Sequence, residues 1–80
     1  MKMNSLLENI EKIHTTTLGA KRIKQNLQIE VDDIVKWCKE KVLDNKSIIE
    51  RVGKNYYVTI LNYKITINAY SYTIITAHFK

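Results

Sequence analysis

The apolar residues of this chain change period near residue 45, and no other feature restricts its fold as strongly. Before that point the spacing is helical. Leu6, Leu7, Ile10 and Ile13 mark one face of a first helix over about Ser5–Ile13, and Ser5 with Glu8 has the spacing of a capping box. Thr15, Thr16 and Thr17 interrupt it, because threonine favours caps and turns; Thr16 or Thr17 can cap a second helix through Leu18, Ala20, Ile23 and Leu27. A third stripe, Val31, Ile34, Val35, Cys38 and Val42, follows Glu30, Asp32 and Asp33 and carries Lys39 and Lys41 late, an order that complements a helix dipole. From Ser47 onward β-branched and aromatic residues take over with alternation, and turn residues recur at short intervals. The expected strands are Ile48–Val52, Asn55–Ile60, Tyr63–Asn68 and Tyr72–Phe79, joined near Gly53-Lys54, Leu61-Asn62 and Ala69 to Ser71.

Links this short leave no room for a crossover, so neighbouring strands must be antiparallel and the sheet a meander. A lone four-stranded sheet would leave its apolar face wet, so helices must cover it. The expected class is α+β: two to three N-terminal helices, about 5–43, packed on one face of a four-stranded antiparallel β-meander, about 47–79. At 80 residues the chain has room for one core, so a single domain over 1–80 is expected. The inferred inward faces predict a buried set of Leu7, Ile10, Ile23, Leu27, Ile34, Val35, Cys38, Val42, Val58, Ile60, Ile65, Ile67 and Ile75, with Trp37 at the core or its edge.

Composition removes several function classes. Two glycines and no proline exclude a phosphate-cradling P-loop or dinucleotide turn, so no cofactor is expected. Cys38 has no partner for an internal bridge, and with only two histidines it builds no spaced zinc site, so no metal is expected and Cys38 reads as a small buried hydrophobe. No apolar run approaches the roughly 18 residues of a membrane span, and Met1 to Leu7 has no signal-peptide core, which predicts a cytoplasmic protein that meets no membrane.

Charge is distributed unevenly. Residues 1–40 carry seven Lys/Arg against six Asp/Glu, residues 41–80 six against two, and after Glu50 no carboxylate side chain remains. A basic half that also holds Tyr56, Tyr57, Tyr63, Tyr70 and Tyr72 suits an anionic partner such as RNA, through phosphate contacts and base stacking. Tyrosine also favours strands, so the same enrichment fits an ordinary sheet. In the third strand Ile65, Ile67 and Ala69 should face the helices, which leaves Lys64, Thr66 and Asn68 on the open face. In the fourth, Tyr72, Ile74, Thr76 and His78 share a parity. The residues expected to contact RNA are Lys21, Lys54, Tyr57, Lys64, Thr66, Asn68, Tyr72 and Thr76. Open polar sheet faces are equally the default for solvated surfaces.

The order of helices before meander, with a closing run Asn68-Ala69-Tyr70-Ser71-Tyr72-Thr73-Ile74-Ile75-Thr76-Ala77-His78, resembles a family of short bacterial proteins classed as a domain of unknown function. More distantly the chain is similar to the superfamily of barnase, the tRNA-cutting colicins and the RelE-like toxins. There, helices cover one face of a four-strand sheet and RNA lies on the other. One branch has a leading His, an Arg on the next helix, a "GKxYYV"-like strand and a final "IxTxY/H". These motifs fall here on His14, Arg22, Gly53-Lys54-Asn55-Tyr56-Tyr57-Val58 and Ile74-Ile75-Thr76-Ala77-His78.

That resemblance implies a toxin-like, metal-independent ribonuclease, in which an RNA 2′-hydroxyl attacks the adjacent phosphorus. His78, Arg22 and His14 would supply proton transfer and charge stabilisation. The bland reading of each histidine is a surface side chain or a core residue bonded to backbone. The rival function is a non-enzymatic inhibitor or binding module from a phage or mobile element, acting through a basic, tyrosine-rich sheet. The partners these readings imply are RNA or the ribosome, an acidic antitoxin or a host defence protein. The chain would act as a monomer, or as a homodimer sealed along an exposed sheet edge.

Overall fold

The period change falls where the residues put it. In the computed structural model, which describes residues 5–80, three helices precede a four-stranded antiparallel sheet of order β1-β2-β3-β4, an α+β fold. The helices are α1 (Ser5–Glu8), α2 (Thr17–Leu27) and α3 (Ile34–Leu43); the strands are β1 (Ile48–Val52), β2 (Asn55–Ile60), β3 (Tyr63–Asn68) and β4 (Ile74–Phe79).

The first helix stops short of its apolar spacing. The chain leaves α1 at Asn9, makes a 3-10 turn over Ile10–Lys12 and is extended from Ile13. This buries Leu6 and Ile13, leaves Ile10 at the core margin, and turns Leu7, expected inside, 38% exposed to solvent. A helix this short has little stability of its own. Extended backbone instead lets residue 14 form a parallel bridge with Thr73 at the entry to β4: His14 N–H donates to Tyr72 O (3.1 Å) and Ile74 N–H donates to His14 O (2.8 Å). The Ser5–Glu8 capping pair rests on the Ser5 side chain, which lies outside the described residues.

Thr16 caps α2, its hydroxyl accepting from Gly19 N–H at 2.9 Å. Gly19 is there for space, since a Cβ would sit 2.5 Å from Thr15 Oγ1, and the Thr15 hydroxyl ties the helix to β4 by donating to Ile74 O (3.3 Å). The helix ends at Gln28, which turns left-handed (φ 55°). Asp33 caps α3 by accepting from Lys36 N–H at 3.0 Å. Ile23 and Leu27 on α2, and Ile34, Cys38 and Val42 on α3, form the buried stripes, with α2 packed chiefly on β4 and α3 on β2. Val35 stops at the core margin.

Strands β1, β2 and β3 have the expected bounds. Tyr56, Val58 and Ile60 on β2 and Ile65 and Ile67 on β3 are buried, with Val58 opposite Ile65 and Tyr56 opposite Ile67. The fourth strand differs from expectation in two ways. It begins at Ile74, because the Asn68 side-chain carbonyl accepts from Tyr70 N–H and Ser71 N–H (2.9 Å each) and Tyr72 turns back at φ 61°, closing a longer turn over 69–73. It also carries a β-bulge: Thr66 pairs with Thr76 but Ile67 with Ile74, so Ile75 is an extra residue. Ile74, expected on the open face, is therefore buried, and Ile75, expected in the core, is 50% exposed. Thr76 and His78, beyond the bulge, keep their open-face parity.

Candidate nucleic-acid interface

Strand register arranges the uncovered face in rows. Glu50, Tyr57, Thr66 and Thr76 run across the four strands in one row; Ile48, Thr59, Lys64 and His78 form the next. A third holds Val52, Asn55 and Asn68. Thr66 is only 8% exposed and forms the floor. Lys64 lies diagonally from Tyr57, with Nζ 5.2 Å from the ring centroid, a cation–π distance that leaves the ammonium beside an aromatic face. Glu50, Val52, Tyr57, Thr59 and Lys64 line a shallow cleft of about 270 Å³. Of the residues expected to contact RNA, the fold thus brings Tyr57, Lys64, Thr66 and Thr76 together, with His78 beside them.

The two histidines differ in what their rings hold. His14 Nδ1 donates to Lys12 O (2.8 Å), since a carbonyl only accepts, and Nε2 meets Thr73 Oγ1 at 3.1 Å. Thr73 continues through Ser71 Oγ (2.8 Å) to the Asn68 side chain. His14 is thus engaged at both nitrogens and at its backbone. His78 Nδ1 donates to Phe79 O (2.7 Å), which orients the ring and leaves Nε2 without a protein partner among the described residues. In the neutral ring that free nitrogen is an acceptor or base; protonated, it is a donor.

The remaining expected residues lie elsewhere. Arg22 and Lys21 are exposed on α2, in the helical layer, so the sheet stands between them and the face that carries His78. Lys21 borders a cleft of about 640 Å³ with Gln28, Glu30 and Asp32. Lys54 occupies the β1–β2 turn. Asn68 spends its carbonyl on the 69–73 turn. Tyr72, assigned to a strand by parity, packs its ring against the core margin with Lys12 Nζ 5.8 Å from its centroid. The proposed trio His78, Arg22 and His14 is not gathered at one point.

A cation–aromatic group that local signals do not reveal lies on the other side of β1. The Arg51 guanidinium carbon is 5.5 Å from the Tyr56 centroid and 5.5 Å from that of Tyr70. The two-residue hairpin already implies that Arg51 lies opposite Tyr56; the approach of Tyr70 depends on the 69–73 turn. Cys38 offers no chemistry, because burial pushes its thiol up to about 12 and keeps it protonated. Among the described residues no cluster of three His, Cys, Asp or Glu side chains is suited to a metal ion, and no helix is long and apolar enough to cross a membrane.

The family model described as "Protein of unknown function (DUF3781)" matches residues 7–78, from α1 to the His78 end of β4. The chain belongs to this family. Membership therefore covers both the helical layer and the open sheet face, and it brings no activity with it. No curated protein and no solved structure matches the chain. The similarity to barnase, colicin and RelE-like toxins gains no support from these comparisons.

Proposed function

We propose that the protein is a nucleic-acid-binding module that holds single-stranded RNA on the open face of its sheet. The observation that carries this reading is the grouping of Tyr57, Lys64, Thr76 and His78 around Thr66 on a face where β2, β3 and β4 bear no carboxylate. Tyr57 supplies a ring for stacking, Lys64 a phosphate contact, and the free Nε2 of His78 a bond to a phosphate or 2′-hydroxyl. Binding is favoured over cleavage because general acid–base chemistry at phosphorus needs a second proton-transfer group, and His14 is engaged at both nitrogens.

The test is anisotropy of labelled RNA oligonucleotides between about 50 and about 200 mM salt, with EDTA present and the RNA recovered intact on a gel. Affinity should fall with salt, and Lys64→Glu and Tyr57→Ala should each weaken it. Salt-insensitive binding, or none to any RNA tried, overturns the reading. RNA cut by the wild type in EDTA, or in a separate magnesium-containing reaction with translating ribosomes, and spared by His78→Ala would replace it with the ribonuclease.

A further inference from the structure

We infer that the corner of the sheet formed by Arg51, Lys54 and Tyr70 is a binding site for a nucleoside 5′-phosphate group, with the phosphate on the two cations and the base on the tyrosine. Arg51 stands at the edge strand opposite Tyr56, on the inward side of β1, and its guanidinium lies against two rings instead of beneath a helix. Nε donates to Gly53 O at 2.7 Å, which fixes the plane of the fork. Its Nη groups have no acceptor among the described residues. An arginine oriented in this way presents two parallel N–H groups, the geometry that a phosphate accepts bidentately.

Charge and rigidity support the same ligand. Lys54, exposed in the adjoining turn, adds a second positive charge, and no Asp or Glu occurs in residues 51–80. Glu50, the nearest carboxylate along the chain, has the opposite strand parity and belongs to the other face. Two cations without a counterion match a phosphate monoester, which carries close to two negative charges, better than a backbone diester, which carries one. Tyr70 is 73% exposed, yet its turn is held by the Asn68 carbonyl and by Ala69 N–H donating to Lys54 O at 2.8 Å. The backbone that carries the ring is therefore tied to the hairpin that holds the arginine, and the exposed ring is open for a base to stack on it. A free mononucleotide and the 5′ end of an RNA offer the same chemistry. The site is separate from the open face, so it does not require RNA to lie there.

The experiment is titration of the whole protein with adenosine 5′-monophosphate, followed by the Arg51 Nε–H resonance, with adenosine and inorganic phosphate as partial ligands. The nucleotide should saturate and the two fragments should bind more weakly. Arg51→Gln should lower nucleotide affinity about ten- to hundredfold, the range for hydrogen bonds to a charged group. Tyr70→Leu should lower it about tenfold, and Arg51→Lys, which keeps the charge without the fork, should fall between Arg51→Gln and wild type. Lys36→Gln, exposed on α3 and outside both surfaces, should leave it unchanged. A 5′-phosphorylated RNA binding more tightly than its 5′-hydroxyl twin assigns the site to an RNA end; equal affinities beside a binding nucleotide assign it to a free nucleotide. No shift at Arg51 with either phosphorylated ligand, unchanged affinity in Arg51→Gln, or saturation by an acidic peptide alone overturns the proposal.

Discussion

The two ends of the sheet hold similar side chains and use them differently. At one end Trp37 of α3 meets Tyr63 edge-on (5.2 Å, 88°), Tyr63 leans on Phe79 (5.5 Å), and Lys41 Nζ stands 5.2 Å from the Trp37 ring. At the other, Arg51 rests between Tyr56 and Tyr70. Both are aromatic clusters with a cation. The first is roofed by a helix, so Trp37 and Tyr63 extend the core; at the second the cation itself covers Tyr56, and the outer ring remains in water. Composition therefore does not distinguish a packed cluster from an open one, and coverage does.

The widest separation between the ends should appear in stability. Trp37→Ala removes a half-buried ring and should cost about 2–3 kcal/mol. Tyr70→Ala should cost less than about 1 kcal/mol, since it removes only an exposed cation–π contact. Denaturant midpoints measure both, and equal losses would erase the distinction.

Cys38, beneath the covered side, provides a pH test of how well the helical layer excludes water. Its folded thiol is pushed up by burial from 9.0 to about 12. Between those values the unfolded chain releases a proton that the folded chain keeps, so the contribution is intact below pH 9.0 and declines above it. The decline approaches about 1.4 kcal/mol per pH unit. The measurement is the difference in slope between wild type and Cys38→Ala. Identical slopes would mean that the thiol is hydrated in the folded state.

A contrast of about 1 kcal/mol is expected between the histidines. His14→Ala removes the ring bonds to Lys12 and Thr73 and should lower stability by about 1 kcal/mol. His78→Ala, which loses one exposed bond to its neighbour's carbonyl, should change it by less than about 0.5 kcal/mol. Thermal melts of the pair decide the matter.

The smallest effect belongs to the turns that close the two ends. Gly53 adopts φ 61° at one, whereas Leu61 is forced to φ 52° at the other, where an L side chain meets its own backbone. Leu61→Asn, a residue that tolerates this region, should raise stability by about 0.5 kcal/mol. An unchanged or lowered midpoint would show that the leucine side chain repays its strain through contacts at that end.

How much of this was legible follows from particular residues. The bounds of β1, β2 and β3 and the cap of α2 came from local signals, namely alternation, a two-residue Gly53-Lys54 turn, and Thr16 before an apolar stripe. Those signals act over a few residues, so the chain alone determines them. The open-face parity of Tyr57, Lys64 and Thr66 was legible for the same reason; Thr76 and His78 kept their parity, but the longer turn and the bulge brought them opposite Thr66 and Lys64. Tertiary structure decided the rest. Ile74 and Ile75 are the same residue, and only the bulge against Ile67 determines which is buried. Leu7, expected inside, is exposed while Leu6 is buried because the bridge of His14 to Thr73, a contact across 59 positions, outweighed one more turn of helix. The separation of Arg22 from His78 and the meeting of Arg51 with Tyr70 are of this kind too. Each depends on which side of a sheet a distant element packs, and that is set by the total apolar area buried, a quantity no short stretch of sequence contains.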